Sequence, residues 1–248
     1  MTDRNSLREG LRERLLGVMD RKHHPGFVHL TRPGLDRAQL LVHFRHEFLT
    51  YVRDFPVLLA RVLGQGPPAD VRASLAENIF EEQTGKLSVG RPHPELFLEM
   101  MGGLGFERDA LESGGPPLEG EAVAYRELLD RVSIEPPWIV GAAVLTIFVE
   151  GSVNERAELA GARQLPTVEE QVRRHPMVEH YGCPPEKMQL VRAHRLVESG
   201  HRKDAWGAVL DHVADDAIAE RIATAMESAL EAWLAYRSAV YRAMGVSG

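Results

Sequence analysis

An all-α bundle of about seven or eight helices is what this sequence predicts, on three observations. Leu, Ala, Glu and Arg dominate it, apolar residues recur at three- and four-residue steps nearly everywhere, and no stretch keeps the alternation of a strand.

Taken in order, the periodicity gives a first helix over about 5–22 and a Pro/Gly loop, then a long helix over about 36–63 with Asp36 placed as its cap. Pro68 sits at the first turn of a helix over about 69–83. Further helices are expected from His93, over about 107–112 and over about 120–132. Pro136 and Pro137 open one over about 138–161. Thr167 and Glu170 have capping-box spacing for a short helix, and two more are expected over about 185–211 and 216–244. The Gly/Pro clusters at 64–68, 114–117 and 181–185 separate helices and not domains, so 1–248 is expected to form one domain.

Composition narrows the function classes. With 44% hydrophobic and 26% charged residues the chain is expected to be globular. The net charge is −7 and the Lys and Arg residues are scattered, which speaks against nucleic acid or an anionic membrane surface as partner. The single cysteine, Cys183, excludes an intramolecular disulfide and a CxxC zinc site. The N-terminal stretch lacks the apolar core of a signal peptide, and the greasiest run, 138–149, is too short to span a bilayer. A cytoplasmic protein is expected.

Three segments carry chemistry. In AHRLVESGHRKDAW, His194, Glu198 and His201 fall within about 60° of one another on a helix. Imidazole and carboxylate on one face suit iron, zinc or manganese, although two histidines and a glutamate can equally line a solvated face. In PPWIVGAAVLTIFVEG, Glu150 follows three apolar turns on the stripe of Ala143, Thr146 and Ile147. A carboxylate buried there needs an arginine or a metal. In ENIFEEQTGKLSVGRPHPELF, Glu81 and Glu82 end one helix and His93 starts the next, while Gly85, Gly90 and Pro92 forbid a continuous helix. Such a loop can fold a carboxylate and an imidazole onto one site, or simply leave surface charges. Together Glu82, His93, Glu150, His194, Glu198 and His201 offer a ligand set for two metal ions, with Glu81 the alternative to Glu82. His43, His46, Glu47 and Tyr51 recur at helical spacing and are candidate cavity-lining residues, while the three tryptophans read as packing.

The same residues carry a resemblance to the haem-oxygenase-like di-iron oxidases and oxygenases. Its motifs are Asn78-Ile79-Phe80-Glu81-Glu82 with Gly85, His93-Pro94-Glu95-Leu96-Phe97, Glu150, and the His194/Glu198/His201 triplet, and it covers roughly residues 20–215. The family usually has Asp at the middle of the triplet, where this chain has Glu198. The resemblance implies the haem-oxygenase-like fold, two iron ions and an oxidoreductase acting with dioxygen on a small organic substrate. The segment from His23 to Val62 and the run near 104–112 are also similar to pyrroloquinoline quinone synthase (PqqC), which shares the fold with thiaminase-like TenA proteins and needs no iron. A metal-free cofactor-biosynthesis oxidase, and a helical binding or regulatory protein, are therefore the alternatives. Tyr236 and Tyr241 in the last helix fall outside its apolar stripe of Met226, Leu230, Trp233, Leu234 and Val240. A central helix buried nearly all round in one subunit explains this as well as a second copy does. A homodimer is the expectation because proteins of this fold resemble one another in forming dimers.

Overall fold

A computed structural model describes residues 4–162 and 166–246, with the side chains of 198–201 outside the described set. The described residues are helices, turns and loops, with no strand among them. No helix among the described residues is long and apolar enough to cross a membrane.

The first helix, α1 (Arg4–Asp20), buries Leu11, Leu15, Leu16, Val18 and Met19, a stripe at helical spacing. After a short turn of helix, α2 (Phe27–Leu30), comes α3 (Arg37–Glu47), which opens on a capping box. Asp36 accepts from the Gln39 N–H, and the Gln39 side chain accepts from the Asp36 N–H, each at 2.8 Å. From Phe48 to Val52 the chain is wound as a π-helix, and α4 (Phe55–Gly64) restarts beyond Asp54. The single helix expected over 36–63 is therefore broken. Pro56 has no N–H to return to Val52 and its ring would meet that carbonyl, so the helix cannot run through.

Helix α5 (Ala69–Thr84) stops at Gly85, and α6 (His93–Gly103) begins eight residues later. After α7 (Arg108–Glu112) and α8 (Gly120–Ile134) comes α9 (Trp138–Ala142), which continues as a π-wound segment over Ala143–Val149. Here the structure corrects the helix expected over 138–161. Gly151 passes so close to the preceding turn that a Cβ would lie 2.2 Å from the Ile147 carbonyl oxygen, and the chain leaves the helix there. It resumes as α10 (Glu155–Leu159). Then follow α11 (Val168–Arg173), capped by Thr167 and Glu170, and α12 (Pro176–Glu179). The last two helices are long, α13 (Gln189–Leu210) and α14 (Asp216–Ala243).

Helix α14 is the centre of the bundle, packing on α1, α3, α8 and the π-wound end of α9. Tyr236 and Tyr241 are fully buried inside the subunit, and Tyr236 stacks on Tyr125 with ring centroids 5.6 Å apart. The two aromatic residues that pointed to a second copy are thus used within one chain, because this helix packs on several neighbours while Glu220, Thr224, Ser228, Glu231 and Ala235 keep one face exposed.

Candidate metal centre

A cavity of about 200 Å³ opens between the two π-wound segments, the end of α5, the start of α6 and the first half of α13. The π segments supply Tyr51, Val52, Thr146 and Val149 to its wall. Phe55, Leu190 and Val197 make the rest of the apolar lining, and Glu82, His93, Glu150, Glu155, His194 and Arg202 are the charged or ionisable groups that face it.

His93 is brought here by the loop of 85–92. Gly85 has φ 61°, and a Cβ on it would lie 2.1 Å from the Arg91 carbonyl oxygen, so only glycine closes the turn this tightly. Glu81, fully buried, holds the loop from inside. It accepts from the Leu87 N–H at 2.7 Å and from the Ser88 hydroxyl, and its Oε1 lies 3.2 Å from His93 Nε2. Burial pushes the Glu81 carboxyl up, but these donors outweigh it and hold the pKa below the usual value.

On its other edge, His93 Nδ1 lies 2.8 Å from Glu82 Oε1. This buried nitrogen has that ion-pair contact and no other polar partner among the described residues. Burial disfavours a charge on His93, yet Glu82 and then Glu81 outweigh it and raise the imidazole pKa. The two glutamates that sequence could not separate thus do different things. Glu82 faces the cavity, and Glu81 fixes the ring from behind.

His194 comes from α13, is exposed, and meets His93 edge to face with ring centroids 5.1 Å apart. Glu82, His93 and His194 form a group whose ligand atoms all lie within 4.8 Å of one another. Glu150 lies just past the π-wound end of α9. It is exposed where the sequence predicted burial, it lines the cavity, and its Oε1 accepts from Asn78 Nδ2 at 2.8 Å. The side chains of Glu198 and His201 lie outside the described residues.

This donor set fits a metal ion. The Nε2 edge of His93 is engaged by Glu81, the arrangement that leaves Nδ1 as the ligand, and that nitrogen faces the Glu82 carboxylate, with His194 in the same group. Carboxylates with imidazoles are ligands for iron and its neighbours.

Of the other four candidates, Tyr51 lines the cavity and donates to Glu47 Oε1 at 3.1 Å. Glu47 lies behind it, bonded to Arg237 Nη2 at 2.7 Å, with His43 Nε2 at 3.7 Å. His46 points elsewhere and holds backbone, with Nδ1 on the Val42 carbonyl at 2.7 Å and Nε2 accepting from the Glu119 N–H at 3.0 Å. Cys183 is buried, does not line the cavity, and its thiol is pushed up to about 11 chiefly by burial.

Sequence reading missed Glu155. It is a buried carboxylate, 1% exposed, that lines the cavity. Trp206 Nε1 donates to it at 2.8 Å and Arg202 Nε lies at 3.1 Å, so it meets its counter-charge and not a metal. Arg202 also reaches Glu158 at 2.7 Å. Nothing local marks Glu155, because its partners lie some fifty residues away on α13; Trp206, read as a packing residue, is the donor.

The family described as iron-containing redox enzymes matches residues 42–237, a span that includes all of these cavity residues. No curated protein matches. Among solved structures, a domain of unknown function with a haem-oxygenase-like fold from Shewanella denitrificans is similar at 13% identity, over 99% of this chain and 94% of that one, with a TM-score of 0.66. A TenA-family transcription regulator from a Silicibacter species is similar at 11% identity, over 94% of this chain and 96% of that one, with a TM-score of 0.55. With a helical bundle of this fold and a family match over most of its length, the chain belongs to the family of iron-containing redox enzymes.

Proposed function

We propose that the protein is an oxidase or oxygenase that uses iron, in two ions, to direct dioxygen at a small organic substrate. Glu82, His93, Glu150 and His194 are the ligands in this reading, with Glu198 and His201 completing the set. The observation that carries it is the convergence of Glu82, His93 and His194 within 4.8 Å on the wall of a cavity that also holds Glu150.

Bound iron supplies one-electron chemistry with dioxygen that no side chain has. The chain's own residues do the rest. Val52, Phe55, Val149, Leu190 and Val197 give the substrate's carbon skeleton an apolar wall and keep water from it. Glu81 keeps His93 in the tautomer and orientation of a ligand. Tyr51 holds a proton on the cavity wall with Glu47 behind it as acceptor. Burial would push the Glu47 carboxyl up, but Arg237 beside it holds it below the usual range and so ionised.

Calorimetry with ferrous iron under anaerobic conditions tests the reading. Two ions per chain are expected, and His194→Ala or Glu150→Ala should weaken binding strongly, because each removes a direct ligand. Wild-type affinity in both variants overturns the assignment.

A further inference from the structure

We propose that Lys22 is a positioning residue for Glu150, its Nζ holding by hydrogen bonds the turn that presents this carboxylate to the cavity. The inference rests on Glu150 being a metal ligand.

Lys22 stands just after α1, where its own N–H bonds the Met19 carbonyl at 3.0 Å. Its side chain runs to the far end of α9. There Nζ donates to the carbonyls of Phe148, of Val149 at 3.2 Å and of Gly151 at 2.7 Å. These three carbonyls flank Glu150 on both sides. A helix end leaves its last carbonyls without intrahelical partners. Here the Ser152 N–H, which a continuing helix would aim back at Phe148, goes instead to Glu155 Oε2 at 3.3 Å. Burial, with Arg237 adding to it, pushes the Lys22 pKa down to about 7, so it is the N–H donors of Nζ that answer these carbonyls. Nζ lies over the Phe148 ring, 4.8 Å from its centroid, and 5.8 Å from that of Trp233. Its place is therefore set by α1, by α9 and by α14 together.

Asn78 fixes the carboxylate of Glu150 and Lys22 fixes the main chain that carries it. Without the second anchor, the turn between the π-wound end of α9 and Gly151 loses the Nζ donors of these three carbonyls, and Glu150 shifts away from Glu82, His93 and His194. The effect is one on metal affinity through another residue, of the size that removal of a ligand's supporting partner produces, about 10–100-fold.

The experiment is anaerobic calorimetry with ferrous iron on four variants, each paired with its urea unfolding curve in the metal-free state. Lys22→Met keeps the stem and removes the donors, and should weaken iron about tenfold or more. Lys22→Arg, which restores N–H donors, should recover part of that loss. Asp36→Ala removes the cap of α3 and lowers stability away from the cavity, yet should bind iron like the wild type. Glu150→Ala reports on the ligand itself. Wild-type affinity in Lys22→Met, with weak binding in Glu150→Ala, overturns the role of Lys22 and leaves the iron reading intact. Wild-type affinity in Glu150→Ala overturns both. An equal loss in Asp36→Ala and Lys22→Met reduces Lys22 to general stability and also overturns it. If Lys22→Met does not fold, Lys22→Gln, which retains one amide donor, takes its place, with an intermediate loss expected and wild-type affinity contradicting.

Discussion

His43 shows what a buried imidazole does to the pH response of this protein. It is 2% exposed, and burial drives its pKa down to about 4, against which the attraction of Glu47 is too weak. In the unfolded chain the same ring titrates near 6.5. Between these values the unfolded state binds a proton that the folded state does not, so stability is complete above about pH 6.5 and falls as pH drops towards 4. The difference is worth about 3 kcal/mol. Urea unfolding at pH 7.5 and pH 4.5 should show the loss, and His43→Gln should reduce it, while His24, His46 and His175, whose pKa values burial also lowers, keep their share; an unchanged pH dependence in that variant contradicts the account. At this scale the sequence was partly legible. It marked Glu81, Glu82, His93, Glu150 and His194, but adjacent residues point about 100° apart on a helix. Nothing in ENIFEEQ says which glutamate meets the cavity until the loop after Gly85 places His93 between them.

The elements that build the site are those where helix periodicity failed. Gly85 and Gly90 were readable as loop residues, and the structure adds why the first is glycine: φ is 61° and the Arg91 backbone leaves no room for a Cβ. Gly85→Ala should cost about 1–2 kcal/mol or more, since strain and clash add, and should weaken ferrous iron because the same loop carries His93. Gly10→Ala, in an exposed part of α1 with nothing within 4 Å of the new Cβ, should instead stabilise by about 0.5–1 kcal/mol. Thermal unfolding of the two variants checks both signs, and a Gly85→Ala protein as stable as the wild type would show that the turn is not tight. The two π-wound segments could not be read. An extra residue per turn shifts the phase of an apolar stripe, but Ile139 and residues 141–148 are all buried, so there was no polar face against which a shift would show. The breaks themselves had signals, Pro56 and Gly151, which apolar continuity on either side concealed.

For the molecule as a whole, the class of fold followed from periodicity alone, and the haem-oxygenase-like arrangement from the motif residues. What neither gave was the depth of α14. Tyr236 and Tyr241 looked like surplus greasy surface, yet both are fully buried against neighbouring helices that periodicity cannot locate. The bundle brings the ends of α5 and α9 and the starts of α6 and α13 around one cavity, and the central claim is that iron is held there. Crystals grown anaerobically with ferrous iron and measured on both sides of the iron absorption edge locate the metal directly. Anomalous density within bonding distance of Glu82, His93 and His194 is the predicted result. Iron density only at other residues, or none in this cavity at stoichiometric loading, would contradict the account.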